Sequence, residues 1–358
     1  MFHNEIIVSM KILIGLTYYL PNISGVTQYV SILEEELKYR KHEVKIICSK
    51  SSNKNVVGIN GFSVGKGFIM PMYWYKSIEQ VKWADVVNCH LPSIESIWLA
   101  LWGKVFRKKV VITHHCEFMF TGTLSNKLIA LLSWPIHFVV YLLADKIVAY
   151  TEDYAHYSSF LKLFKNKIVF VLPPIKINPL KKEKQKKTII GYVGRIAWEK
   201  GLDRLIKIVP LLKKEFAFEM WWVGPYKDVK GDNFYKKLKL NKEIKLIGPI
   251  EHEKLNIYYA KMDCLVLPST DNLETFGIVQ AEAMVCGVPV VASNLPGVRV
   301  PVQMTGMGEI ASITDNNDLF LKIVKVLKNK YVANKNITKF DYIKTVDEYE
   351  KIFKKILR

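Results

Sequence analysis

The 358-residue sequence predicts an α/β protein made of two doubly wound, parallel-sheet domains. Three observations carry that reading. Apolar runs of strand length alternate with longer amphipathic stretches, the pattern of repeated βαβ units. The short runs are continuous in Val, Ile and Leu, as expected of strands covered by helices on both faces. The alternation breaks once, at a proline-rich stretch near the middle, and then resumes.

The first series opens with Lys11–Leu16 as a strand and Val26–Arg40 as a helix, then Glu43–Cys48. It continues through Asp85–Cys89, Ile94–Lys104, Val110–Thr113 and Lys146–Ala149. The opening run is too short for a signal-peptide core and lacks a small-residue cleavage site, so it reads as a first strand, with Met10 as an alternative start. Leu128–Ala144 is nearly all apolar. It is only about 17 residues long and is interrupted by Ser133, Pro135 and His137, which argues against a membrane span and for a buried helix pair kinked at Pro135. The pause falls at Leu172-Pro-Pro-Ile-Lys-Ile-Asn-Pro179 and the lysine-rich run after it. That places an N-terminal domain at 1–172 and a linker at 173–187. The second series runs through Thr188–Val193, Leu202–Lys214, Phe216–Val223, Ile244–Ile247, Cys264–Leu267, Ile278–Cys286 and Val288–Ala292, a second domain at 188–340.

Composition narrows the partners. A formal net charge of +19 and a pI near 9.5 draw the chain toward phosphorylated ligands, anionic lipid or nucleic acid. No nucleic-acid-binding motif is visible and the basic residues are not gathered on one helix, so no nucleic-acid partner is expected. Five cysteines, odd in number and without CxxC spacing, read as reduced, packed thiols of a cytoplasmic protein.

Two segments carry chemistry. In Pro268-Ser-Thr-Asp-Asn-Leu-Glu-Thr-Phe-Gly-Ile-Val-Gln-Ala-Glu-Ala-Met-Val-Cys-Gly-Val-Pro289, a strand end, a loop, a helix and a glycine stop follow in succession. Phe276, Gly277 and Ile278 supply backbone N–H groups at a helix N-terminus, an anion site aided by the helix dipole. Glu282 lies about a turn farther along, suited to ribose hydroxyls, and Glu274 in the loop faces the sugar. In Gly191-Tyr-Val-Gly-Arg-Ile-Ala-Trp-Glu-Lys-Gly-Leu-Asp203, a strand delivers Arg195 and Lys200 to the loop before a helix. Such carboxyl ends are where doubly wound folds bind ligands, and two cations there neutralise a diphosphate.

These segments together resemble family 4 of the retaining glycosyltransferases, the glycosyl transferases group 1, over nearly the whole chain. The resemblance implies the GT-B fold, with two Rossmann-like domains facing a cleft and a C-terminal helix, 341–358, returning to the N-terminal domain. It implies that Arg195 and Lys200 bind the donor diphosphate, that Glu274 contacts the transferred sugar, and that Glu282 holds the ribose. The backbone around Ile250 corresponds to the base site. In the N-terminal half, Ser24-Gly25-Val26 stands where relatives carry two adjacent glycines; Gly25 keeps the close backbone approach and Ser24 departs from it. Val110-Val-Ile-Thr-His-His-Cys-Glu117 matches the strand end that places a histidine near the donor sugar. The register fits His115 better than His114, and adjacent strand residues point oppositely. Arg299 is a weaker candidate for added positive charge.

The implied activity is transfer of a hexosyl-type sugar from a nucleoside diphosphate to a hydroxyl of a glycan or polyprenyl-linked glycan, without a metal or other cofactor. His114, His115, Cys116 and Glu117, with His90, lack metal-ligand spacing. Basic charge and aromatic stretches such as Met70–Lys76 suit peripheral work at the cytoplasmic face of an anionic membrane. A GT-B-like epimerase or phosphorylase would share the donor chemistry but yield no glycosylated acceptor. A nicotinamide dehydrogenase is disfavoured, because no leading strand is followed by G-x-G-x-x-G.

Overall fold

A computed structural model describes residues 9–49, 51, 56–64, 67–117, 124–197, 200–226, 238 and 241–358. The chain divides into two units, one of residues 1–174 with 342–358 and the other of residues 175–341.

The first unit is a seven-stranded parallel sheet in the order β3-β2-β1-β6-β7-β8-β9. Its strands are β1 (Lys11–Gly15), β2 (Glu43–Ser49), β3 (Val56–Ile59), β6 (Val86–Leu91), β7 (Lys109–His114), β8 (Lys146–Ala149) and β9 (Ile168–Phe170). A two-stranded antiparallel hairpin, β4 (Phe62–Val64) and β5 (Gly67–Ile69), stands beside it. The helices are α1 (Gly25–Tyr39), α2 (Tyr73–Trp83), α3 (Ser96–Val105), α4 (Leu124–Leu143) and the short α5 (Glu152–Tyr157). Leu13, Ile47, Val87, Ile112 and Ile147 are fully buried in one core cluster and their neighbours Ile12, Ile14, Ile46, Val86, Val111 and Val148 are fully buried too, which is why these strands carry continuous apolar runs.

Residues 124–143 form one helix with Pro135 inside it, where the sequence suggested a kinked pair. A proline deletes one helical donor. Flanking side chains engage nearby carbonyls: Ser133 Oγ donates to Ala130 at 3.0 Å and His137 Nδ1 to Ser133 at 2.8 Å. Nor is the helix wholly buried, since Leu131, Leu132, Val139 and Leu142 are exposed. Among the described residues no helix is long and apolar enough to cross a membrane.

The second unit is a six-stranded parallel sheet in the order β12-β11-β10-β13-β14-β15. Its strands are β10 (Thr188–Val193), β11 (Phe218–Val223), β12 (Ile244–Gly248), β13 (Cys264–Leu267), β14 (Val290–Ser293) and β15 (Gly308–Ala311). Its helices are α6 (Leu202–Glu215), α7 (Leu255–Tyr259), α8 (Ile278–Val285), α9 (Val300–Thr305) and α10 (Asn316–Lys328). The stretch read as a linker is tied into this unit. Glu183 N–H bonds to the Ala260 carbonyl at 2.8 Å, Asn256 Nδ2 to that of Asn178 at 2.9 Å, and Lys182 lies 3.6 Å from Asp263.

The last helix, α11 (Tyr342–Leu357), belongs to the first unit and packs on α1. Tyr349 joins Tyr29 at 2.9 Å and Thr113 at 2.6 Å in the interior. Arg40 bridges Asp347 and Glu350 at 2.6 and 2.7 Å, and His42 meets Glu350 at 2.6 Å.

Candidate functional site

In the second sheet β10 and β13 are neighbours, and the chain winds from β10 toward β12 on one side and from β13 toward β15 on the other. Loops leaving the carboxyl ends of two such strands diverge and open a crevice for a ligand. The loop after β10 carries Arg195 and Lys200. The loop after β13 carries Glu274 and leads into α8.

Local geometry fixes the first loop. Gly194 N–H bonds to the Val223 carbonyl at 2.9 Å, Ile196 N–H to that of Pro225 at 3.0 Å, and the Tyr192 hydroxyl to that of Arg195 at 2.8 Å. The Arg195 side chain is left exposed. Gly201 has φ +70°, and a Cβ there would sit 2.0 Å from the Pro268 carbonyl oxygen. Only glycine lets the two loops approach so closely. Lys200 Nζ consequently lies 2.9 Å from Glu274 Oε2, with 22% and 21% of the two side chains exposed. Trp198 and Glu199, the middle of this loop, lie outside the described residues.

The second loop ends at Gly277, the residue before α8, with φ +76°. A Cβ there would meet Leu267 at 2.4 Å. Phe276 is a buried anchor, edge-on to Phe340 at 6.0 Å, so it can serve a ligand only through its backbone. Gln280, fully buried, donates to the carbonyls of Phe276 and, at 2.8 Å, Val298. It pins the start of α8 to the segment that carries Arg299, whose guanidinium reaches Asn294 Oδ1 at 3.1 Å. Ile278, at the first position of α8, and Ile250, just after β12, are both half-buried.

Glu282 is 3% exposed and both its oxygens have protein donors. His252 Nε2 stands 2.7 Å from Oε1, and the Tyr259 hydroxyl 2.9 Å from Oε2. The hydrogen bond to Glu282 raises the His252 pKa above the usual histidine value, against an opposing effect of burial. Tyr259 is pushed well up by burial and by Glu282, and stays neutral.

In the first unit, Gly25 is the exposed first residue of α1. Ser24, the departure from paired glycines, is the helix cap. Its Oγ accepts from Thr27 N–H at 3.2 Å, and Thr27 Oγ1 accepts from Ser24 N–H at 2.7 Å. The substitution therefore trades backbone freedom for a reciprocal cap while leaving Gly25 in place.

His115 and His114 point to opposite faces of the sheet. His115 is buried, with Nε2 2.8 Å from His90 Nδ1 and Nδ1 bonded to the Tyr150 hydroxyl. His90 in turn meets Asn88 Oδ1 at 2.9 Å. His114 bonds the Tyr141 hydroxyl instead. Burial holds His115 well below the usual pKa, His114 at about 4 and His90 at about 3, so all three are neutral at pH 7. Among the described residues no group of three or more His, Cys, Asp or Glu is placed to hold a metal ion.

Sequence reasoning missed His252, Tyr259 and Gln280. Gln280 lay inside the quoted segment, two residues before Glu282. His252 and Tyr259 are 30 and 23 residues from their partner, and no spacing rule links them.

Comparison with known proteins agrees with this frame. The model of the glycosyl transferases group 1 matches residues 174–341, and that of glycosyltransferase family 4 matches residues 23–177. An uncharacterised 41.2 kDa protein in the cps region of Klebsiella pneumoniae is 26% identical over 85% of this chain and 86% of its own. The phosphatidyl-myo-inositol mannosyltransferase of Propionibacterium freudenreichii is 25% identical over 80% and 77%. The fold is that of Anabaena HepE solved in complex with UDP and glucose, with a TM-score of 0.74 at 16% identity over 97% of this chain and 100% of that one. With two parallel Rossmann-like sheets of the GT-B type and the two family models together spanning 23–341, the chain belongs to the group 1 glycosyltransferases of family 4, transferases that take a sugar-nucleotide donor.

Proposed function

We propose that this enzyme is a retaining glycosyltransferase that moves a hexosyl-type sugar from a nucleoside diphosphate to a hydroxyl of a glycan or polyprenyl-linked glycan. The observation that carries the reading is the meeting of two loops at the β10/β13 switch point, where Lys200 lies 2.9 Å from Glu274 at the approach to the α8 N-terminus. Arg195, Lys200 and the backbone N–H groups of Gly277 and Ile278 would hold the diphosphate. As the anomeric bond breaks, they stabilise the charge that collects on the leaving phosphate. Glu274 orients the sugar, Glu282 accepts from the ribose hydroxyls, and the backbone at Ile250 supports the base. The family resemblance would assign Gly25 to the donor phosphate and His115 to the sugar; within the first unit the neutral His115 ring is set by His90 and Tyr150. The acceptor hydroxyl attacks from the face the leaving group vacates, its proton passing to a donor phosphate oxygen. No step needs a metal ion, because the cations and the helix terminus supply the charge.

The acceptor is proposed to be presented at an anionic membrane surface on the cytoplasmic side, as part of cell-surface polysaccharide assembly. Support comes from the net charge of +19 and from the exposed Leu131, Leu132, Val139 and Leu142 on α4. One relative lies in a cps region and another is named for a phosphatidyl-myo-inositol acceptor. The test is a screen of sugar nucleotides for thermal stabilisation, followed by incubation of the best donor with polyprenyl-linked acceptors. Formation of a glycosylated lipid supports the reading. Release of an epimerised sugar nucleotide alone refutes it.

A further inference from the structure

We propose that His252 is a positioning residue for the donor: with Tyr259 it orients the Glu282 carboxylate, and its positive charge offsets that carboxylate so that a diphosphate-bearing ligand binds more tightly. The inference rests on the reading of Glu282 as the ribose-binding group.

The geometry assigns the role. A carboxylate has about four lone-pair sites, two on each oxygen. His252 Nε2 takes one on Oε1 at 2.7 Å and the Tyr259 hydroxyl takes one on Oε2 at 2.9 Å. One site on each oxygen remains, which matches the two hydroxyls of a ribose. Glu282 is 3% exposed, so its direction is set by these two partners and not by solvent. His252 begins the turn that follows β12, two residues beyond Ile250, so one short segment supports both the base and the ribose carboxylate.

Charge separates the two partners. Glu282 faces His252 from α8 and Glu253 from the turn of His252 itself, while Tyr259 of α7 and Cys286, just past the end of α8, lie beside Glu282. The neighbouring Lys254 and Glu251 pair with each other at 2.6 Å on the surface. Burial pushes the Cys286 thiol up to about 12, and Tyr259 is raised well above its ordinary value. Neither changes charge near neutral pH. His252 does, and its pKa is raised. Its proton is therefore held at pH 6 and lost as the pH rises through a value above that of an ordinary histidine. Once it is lost, a buried carboxylate faces an incoming diphosphate uncompensated, and donor affinity falls.

The experiment measures dissociation constants between pH 6 and 8.5 at fixed ionic strength. The probe is whichever of UDP-glucose, ADP-glucose and GDP-mannose binds the full chain most tightly. The wild type should weaken at least threefold over this range. His252→Gln keeps a hydrogen-bond donor but cannot titrate, and should stay level within the error of measurement. His252→Ala should bind more weakly than His252→Gln at every pH. A wild-type affinity independent of pH, or a His252→Gln variant with the wild-type slope, overturns the proposal. Glu282→Gln separates the two levels. At least tenfold weaker binding by this variant, with its melting temperature retained, sustains the ribose reading whatever His252 does, whereas affinity within tenfold of the wild type's, or a wild type that binds none of the three probes, removes that reading and this inference with it.

Discussion

Replacing Lys200 by alanine removes an ammonium held 2.9 Å from Glu274 in a site about four-fifths buried. At that separation, with an effective dielectric near 20, the gross attraction is ~6 kcal/mol. Desolvation and the ordering of two side chains offset most of it, leaving a net loss of about 1 kcal/mol. In a domain of this size that lowers Tm by about 2–4 °C, so the variant stays folded at assay temperature. Activity should fall far more. If Lys200 faces the leaving diphosphate, its removal costs about 10²–10³ in kcat, the scale seen when one preorganised donor is taken from a charge developing in the transition state. Initial rates at saturating donor and acceptor, with a thermal melt of the same preparation, separate the two effects. Glu274→Gln breaks the same ion pair and should cost similar stability while leaving the diphosphate contact intact. Lys200→Ala activity within threefold of wild type, at a matched melting temperature, refutes the assignment.

Gly201→Ala should be worse for stability than Lys200→Ala, because it puts a side chain at φ +70° and within 2.0 Å of the Pro268 oxygen. A loss of about 2–4 kcal/mol in a denaturant melt is expected, with activity lost as the loop shifts. Ser24→Ala removes the cap of α1 and should cost about 1 kcal/mol, whereas Ser24→Gly should cost only a few tenths; a Ser24→Ala variant as stable as the wild type would show that the Ser24 hydroxyl does not cap the helix. The double substitution Leu131→Glu with Leu132→Glu should abolish sedimentation with anionic vesicles and leave the melting temperature near wild type, because both side chains are exposed. Retained vesicle binding would discard α4 as the membrane contact.

Much of this was legible in the sequence because it is local. A βαβ unit declares itself by hydrophobic runs, so β1, β8, β10 and β13 fall where the apolar stretches lie. The glycines at 201 and 277 mark loop ends whose backbones demand them. The contact of Lys200 with Glu274, 74 residues apart, is not local and was not foreseen; it arises because their loops leave the neighbouring strands β10 and β13. Contacts without a periodic signal stayed hidden. His252 and Tyr259 converge on Glu282 only once a turn and a helix are packed together. The exposed face of α4 was also illegible: a run apolar all round does not say which side faces solvent. The strand β15 and helix α10 were not foreseen, though α10 carries capping at Asp315 and a buried stripe of Leu319, Ile323 and Val326.

The most direct measurement is proton NMR of the reaction with the best sugar nucleotide and acceptor in the presence of EDTA. The account predicts a new glycoside whose anomeric configuration is that of the donor, formed at an undiminished rate. An inverted anomer, or activity that disappears with the chelator and returns with a divalent cation, contradicts it.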